Sequence, residues 1–277
     1  MKHWLVTPGK NHPRSPRTFG RTLLEITFAF SSINALDMSK SVLLNSSIAK
    51  KYWMAFTGLF LCLFLAGHLA GNLQLFIPGE AGRLQFNEYA LFMTTNPAVK
   101  VLSYVTYFSI LFHAIDGILL TVQNRKARPV KYAYNKPGAN SSWASRNMAL
   151  LGTVLLAFIA THMTNFWAKM HFAEMPMQDV LDENGLVTGQ IKDLYTIVIE
   201  FFNPAANSLA LVALIFYVLS MVAIGFHLWH GFQSAWQSIG VNHKKYTPII
   251  RTAGKAYSVL VPALFAAIPV YIYMVLA

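Results

Sequence analysis

Residues 58–68 read GLFLCLFLAGH and residues 152–162 read GTVLLAFIATH. Each run opens on a glycine and closes ten residues later on a histidine, His68 in the first and His162 in the second. Both continue as apolar sequence, to about 52–76 and 147–168, which meets the roughly 20 residues a helix needs to cross about 30 Å of hydrocarbon. Three further runs of this kind cover about 98–122, 208–237 and 256–276. Hydrophobic residues make up 55% of the 277-residue chain and charged residues only 12%, against about 25% charged in soluble domains. The expectation is an all-α integral membrane bundle of five transmembrane helices, forming one domain over residues 38–277.

The second and fourth runs share a different pattern. Phe112, His113 and Gly117 match Phe226, His227 and Gly231, so both read F-H-x-x-x-G, which favours His227 over its neighbour His230. Asn96-Pro97-Ala98 precedes the second run and Asn203-Pro204-Ala205 the fourth; Asn as N-cap with Pro at the first helical position is a sound helix entry. Pro97 lies 16 residues before His113 and Pro204 lies 23 before His227, which predicts a fourth helix about two turns longer on its outer side.

Charge placement sets the orientation. The net charge of +11 does not read as nucleic-acid binding, because 18 of the 22 Lys and Arg residues fall before the first span, between the second and third, or between the fourth and fifth. The two opposite loops carry eight of the eleven acids. The positive-inside rule then puts the N-terminus in the cytoplasm and the C-terminus outside. The basic faces suit a protein partner or anionic lipid.

Ionisable groups inside a bilayer are costly, so four spans that each carry histidine call for a function. Spans one and three run outward and set His68 and His162 in the outer half; spans two and four run inward and set His113 and His227 nearer the cytoplasm. The pairs fall at two levels, on the order of 10 Å apart. Two histidines facing one iron suit a haem with no open coordination position, and hence one-electron transfer. The glycines at fixed offsets let a flat macrocycle approach a helix backbone. The reading is thus two bis-histidine haem b sites. The single cysteine, Cys62, excludes an internal disulfide, an iron–sulfur cluster held by this chain alone, and haem attachment through C-x-x-C-H.

Other features carry weaker expectations. Asp116 lies one turn beyond His113 and reaches either a haem edge or the inner interface. Glu88, in RLQFNEYALFMTTNP, is either a surface acid or a proton acceptor for a quinol oxidised at the outer level. Residues 190–202 read as an interfacial helix roofing the outer site. The fifth span, with Pro262, Pro269 and no histidine, is expected to pack peripherally with a bend. His3, His12, His171 and His243 receive no role. Residues 1–37 read as a disordered basic tail or a start upstream of the natural one at Met38, the alternative being a basic extension lying on the membrane.

The segments SSIAKKYWMAFTGLFLCLFLAGHLAGNLQLF, FNEYALFMTTNP, LFHAIDGILL and GFHLWHGFQSAWQSIGVNHKKY resemble the di-haem cytochrome b membrane anchor of succinate dehydrogenases and fumarate reductases, in the class with one five-helix anchor chain. The resemblance covers the chain from Met38 onward. It implies that His68 and His162 hold a distal haem and His113 and His227 a proximal one. It also implies a flavoprotein and an iron–sulfur subunit docked on the cytoplasmic face of a bacterial inner membrane. Electrons then pass through the haems to or from a quinone, menaquinone being the expected one. The dicarboxylate chemistry resides on a partner chain. One relative carries a glutamate two residues before the fourth-helix ligand for proton movement; here that position is Gly225, which puts the pathway in doubt.

Two alternatives remain open. One is a di-haem b anchor of another membrane oxidoreductase; ligand spacings of 45, 49 and 65 residues, one per helix, argue against the plan with two ligands on each of two helices. The other is a haem-free transporter using histidines as proton relays, whose inverted repeats and broken helices are not seen in this sequence.

Overall fold

A computed structural model describes residues 46–127 and 136–276. The expectation for residues 1–37 lies outside them. Contacts divide the chain into Met1–Ala49 and Lys50–Ala277, and the helix packing and the histidine pairs belong to the second unit.

Five helices are long and apolar enough to cross a membrane: Ser47–Phe76, Pro97–Lys126, Met148–Phe172, Ala210–Ser238 and Tyr246–Val275. The protein is a multi-pass membrane protein. Large apolar side chains such as Leu63, Phe108, Leu150 and Leu219 point outward, which water would penalise and lipid tails accept. The long helices are α1 (Ser47–Asn72, continued by a 3₁₀ turn to Phe76), α2 (Gly79–Thr95), α3 (Pro97–Lys126), α4 (Met148–His162), α5 (Leu194–Phe202), α6 (Ala210–Ser238) and α7 (Tyr246–Val275). The third span runs on from α4 through a π-helical turn, Met163–Ala168, and a last turn, Lys169–Phe172.

The two Asn-Pro-Ala segments behave differently. Asn96 caps α3, its Oδ1 accepting from the amides of Ala98 at 2.9 Å and Val99 at 3.3 Å. Asn203 instead folds a turn, with Oδ1 accepting from Ala205 N at 2.8 Å, and α6 starts only at Ala210. The fourth helix is therefore not two turns longer than the second. The extra residues lie in the turn.

The segment 190–202 also departs from expectation. Met177–Leu181 (β1) and Val187–Lys192 (β2) form an antiparallel hairpin, and the helix begins only at Leu194. Asn184-Gly185 makes the turn, with Gly185 at φ 78°, the left-handed region where glycine has no steric cost. Asp193 then ends the strand and caps α5, accepting from Thr196 N at 3.0 Å.

Asp193 is fully buried, and it ties three elements of this end together. Its Oδ2 accepts from Arg83 Nε at 2.8 Å, Arg83 Nη2 at 2.5 Å and Thr196 Oγ1 at 2.6 Å; its Oδ1 accepts from Asn87 Nδ2 at 2.8 Å. Asn87 also donates to Gln178 Oε1 at 2.8 Å and accepts from Tyr195 N at 2.9 Å. Burial pushes the Asp193 carboxyl up, but the bonds from Arg83, Thr196 and Asn87 outweigh it and hold the group below the usual carboxylate range. A depressed pKa stabilises the fold above the ordinary value of about 4 and is lost as pH falls through the folded value. Asp193→Ala should therefore loosen the cap by about 2 kcal/mol at pH 7, leaving Arg83 without its buried partner. Amide exchange across Gly79–Thr95 and Leu194–Phe202 measures this, and the difference from wild type should shrink below about pH 4.

The fifth span is not peripheral. It runs along α6, where Gly254 meets the ring of Phe232 so closely that a Cβ would lie 2.7 Å from it. Tyr257 donates its hydroxyl to the Cys62 carbonyl at 2.5 Å, and Phe265 packs on His68 with centroids 5.6 Å apart. Pro262 lacks the N–H that would bond the Ser258 carbonyl one turn earlier. Gly225 approaches that freed carbonyl, where a Cβ would stand 3.1 Å away. A side chain at 225 would need that carbonyl to give by a few tenths of an ångström, which is a packing reason for the glycine there.

Candidate functional site

His68 stands one turn before the end of α1, His162 closes α4, and His113 and His227 lie well within α3 and α6. The fold sets them in two pairs. His68 and His162 face each other at a centroid separation of 5.8 Å with planes at 82°, and His113 and His227 at 6.1 Å and 64°. All four line one cavity of about 2330 Å³. A single small-ligand pocket is about 300–1,000 Å³, so the space suits more than one bound group. The second pair lies beside Thr57, eleven residues before His68 on α1. At 1.5 Å per residue the two levels are about 16 Å apart along that helix.

The separations have chemical content. A metal–imidazole nitrogen bond is about 2 Å and a ring nitrogen sits about 1.2 Å from its centroid, so two imidazoles holding one metal from opposite sides would have centroids about 6.4 Å apart. Aromatic contacts also fall at about 4.5–7 Å, so distance alone does not separate a clamp from a packed pair. The nitrogens add a second criterion. His162 Nδ1 and His227 Nδ1 are buried with no hydrogen-bond partner. Each of these histidines therefore carries a buried nitrogen that no described residue satisfies, at a cost if no partner takes it.

One of the facing histidines, His113, is held from behind. Thr57 Oγ1 lies 3.1 Å from His113 Nδ1 and donates its only proton to the Trp53 carbonyl at 2.8 Å. Its oxygen is left to accept, so Nδ1 of His113 carries the proton and Nε2 has a free lone pair. At His68, Asn72 Nδ2 donates to the His68 carbonyl at 2.8 Å and sits 3.4 Å from Nδ1; as a donor it cannot take a proton from that nitrogen. An acceptor such as Thr57, bonded to the nitrogen opposite the free one, is what a ligating imidazole uses to fix its orientation. Asn72 was accessible to an i, i+4 reading from His68. Thr57 was not, because its contact joins two helices.

Among the described residues, no group of three or more His, Cys, Asp or Glu side chains could hold a bare metal ion. A porphyrin supplies four nitrogens itself and asks the protein for two axial groups, and the paired imidazoles match that donor set.

The glycines are placed at the second level. Gly58 lies against His113, where a Cβ would be 3.2 Å from Cε1, although in sequence it is tied to His68. Ten residues of helix are about 15 Å, the spacing between the two levels. Gly152, ten before His162, lines the cavity with nothing within 4 Å of an added Cβ. A Cβ added at Gly117 would lie 3.6 Å from Met54 Cε, and one at Gly231 3.9 Å from Met148 Cε.

Around His162, Phe158, Phe166 and Tyr217 form an aromatic wall with centroids 5.7, 5.3 and 6.1 Å from the ring. Val198 and Phe202 of α5 pack into the same core. Asn165 Nδ2 donates to the Tyr217 hydroxyl at 3.2 Å. His230 lines the cavity half-buried. Glu88 is on the exposed face of α2, and neither it nor Asp116 is among the lining residues. Among the described residues, no acid lines the cavity.

Comparisons with family models, with curated proteins and with solved structures give no match.

Proposed function

We propose that this chain is the di-haem cytochrome b anchor of a succinate:quinone oxidoreductase in a bacterial cytoplasmic membrane. The observation that carries the reading is two opposed imidazole pairs at two depths of one cavity. His68 and His162 would hold the distal haem, at the outer level, and His113 and His227 the proximal one, at the cytoplasmic level. Bound haem supplies reversible one-electron transfer at an iron with no open position.

The chain does the rest. Thr57 holds the imidazole of His113 from behind, and Phe158, Phe166 and Tyr217 keep water from His162. The basic loops face the cytoplasm, where a flavoprotein and an iron–sulfur subunit would dock, and quinone, menaquinone by resemblance, exchanges electrons at the distal level. Purification of the tagged chain from its native membrane under mild detergent should bring down both partners, with succinate-dependent reduction of the b-type absorption. A chain that carries haem but copurifies with other redox subunits would assign it to a different oxidoreductase.

Thr57→Val gives a finer check. The valine keeps the volume and removes the acceptor of His113 Nδ1–H, so the imidazole becomes a weaker donor and the reduced iron gains relative stability. A neutral hydrogen bond contributes about 1 kcal/mol and 1.4 kcal/mol equals about 59 mV for one electron, so the proximal midpoint should rise by on the order of 20–40 mV while the distal one stays. A redox titration followed at the b bands reads both.

A further inference from the structure

Outward of His162, the indole Nε1–H of Trp167 donates to the hydroxyl oxygen of Tyr107 at 2.8 Å, joining the third span to α3. The same indole stacks on His171 with centroids 4.5 Å apart and planes at 28°. His171 Nδ1 lies 2.8 Å from the Trp167 carbonyl oxygen. A carbonyl only accepts, so Nδ1 carries the proton, and Nε2 of the neutral ring is a bare acceptor. Tyr107 is its complement: the oxygen accepts from the indole, and among the described residues no acceptor takes the hydroxyl proton.

One unused donor and one unused acceptor therefore touch a single indole. All three residues line the cavity, and Tyr107 is 36% exposed on a membrane-spanning helix. The π-helical turn Met163–Ala168 helps to place them. A π turn takes in one extra residue, which rotates the rest of the helix by about 100° relative to an unbroken α-helix, and such turns recur at functional sites.

We propose that Tyr107, Trp167 and His171 form the headgroup site of a lipid-soluble quinol that enters from the bilayer between α3 and the third span. The proposal rests on the electron-transfer reading above and assigns its substrate contact. A quinol head is a flat aromatic ring whose hydroxyl both donates and accepts. Its hydroxyl donates to His171 Nε2, its oxygen accepts from Tyr107, and its ring packs beside the indole. Trp167 is five residues beyond His162, about 7.5 Å along the helix, so the head lies close to the distal imidazole pair. Glu88 has no part in this site.

The test uses the intact complex in detergent. A reduced-minus-oxidised spectrum is recorded first, and the complex is then titrated with 2-heptyl-4-hydroxyquinoline N-oxide, a fluorescent quinol analogue, by fluorescence quenching. Tyr107→Phe and His171→Leu should each weaken probe binding about tenfold, or about 1.4 kcal/mol, with both haem bands retained. His171→Gln, whose amide oxygen accepts, should recover part of the loss, and Glu88→Gln should leave the affinity unchanged. Unchanged affinity in both Tyr107→Phe and His171→Leu, with both bands present, overturns the site alone, as does a loss confined to Glu88→Gln. Absence of haem bands from the wild type overturns the electron-transfer reading and this site with it.

Discussion

His162→Ala is expected to remove one of two b-type bands and leave the other, and His68→Ala to remove the same one. His113→Ala and His227→Ala should each remove the second. The expectation follows from the pairing across helices: each imidazole faces one partner, at 5.8 Å for His68 with His162 and 6.1 Å for His113 with His227. A bis-histidine iron that loses one axial ligand is no longer six-coordinate, and in a site with no covalent attachment the group is free to leave. About half of the reduced-minus-oxidised absorbance should disappear in each variant, with the chain still present in the membrane. Loss of the same band from His68→Ala and His113→Ala would contradict the pairing, whatever the total haem content.

Gly152→Leu should have an effect of similar size at one level only. The position lines the cavity, and an added Cβ meets nothing within 4 Å, so a leucine is accommodated by the protein and fills space that a ligand would need. Gly152 lies about 15 Å along its helix from His162, at the level of His113 and His227. The variant should therefore lose the band that His113→Ala loses and keep the one that depends on His162. Gly58→Leu should do the same for a different reason, since its side chain would displace the His113 ring, 3.2 Å from the added Cβ. Loss of the His162-dependent band instead would mean that these glycines serve the distal level, as their sequence offsets from His68 and His162 first suggest.

Much of the scaffold was legible because membrane spans announce themselves locally. Twenty apolar residues and the parity of their direction suffice to place His68 at the depth of His162 and His113 at that of His227, and the folded chain brings those rings together. The features that could not be read depend on contacts between helices. Gly58 was tied to His68 by sequence but touches His113 in space. The fifth span looked peripheral for want of a histidine, yet Tyr257 bonds the Cys62 carbonyl and Phe265 packs on His68. The late start of α6 turns on whether Asn203 caps a helix or folds a turn, a choice that Asn makes by context. The hairpin had a local signal, Asn184-Gly185 between β-forming runs, which the apolar periodicity of 194–201 obscured. Tyr107, Trp167 and His171 are joined by bonds across two helices and through a π-helical turn, and no short motif marks them.

The most direct measurement is the haem content of the purified chain, by visible spectroscopy and extraction against protein concentration. The account predicts two noncovalently bound haem b per chain, with low-spin reduced spectra and two resolved midpoint potentials. A chain that is folded in the membrane and free of b-type absorption, or one that binds a single haem bridging both levels, would contradict it.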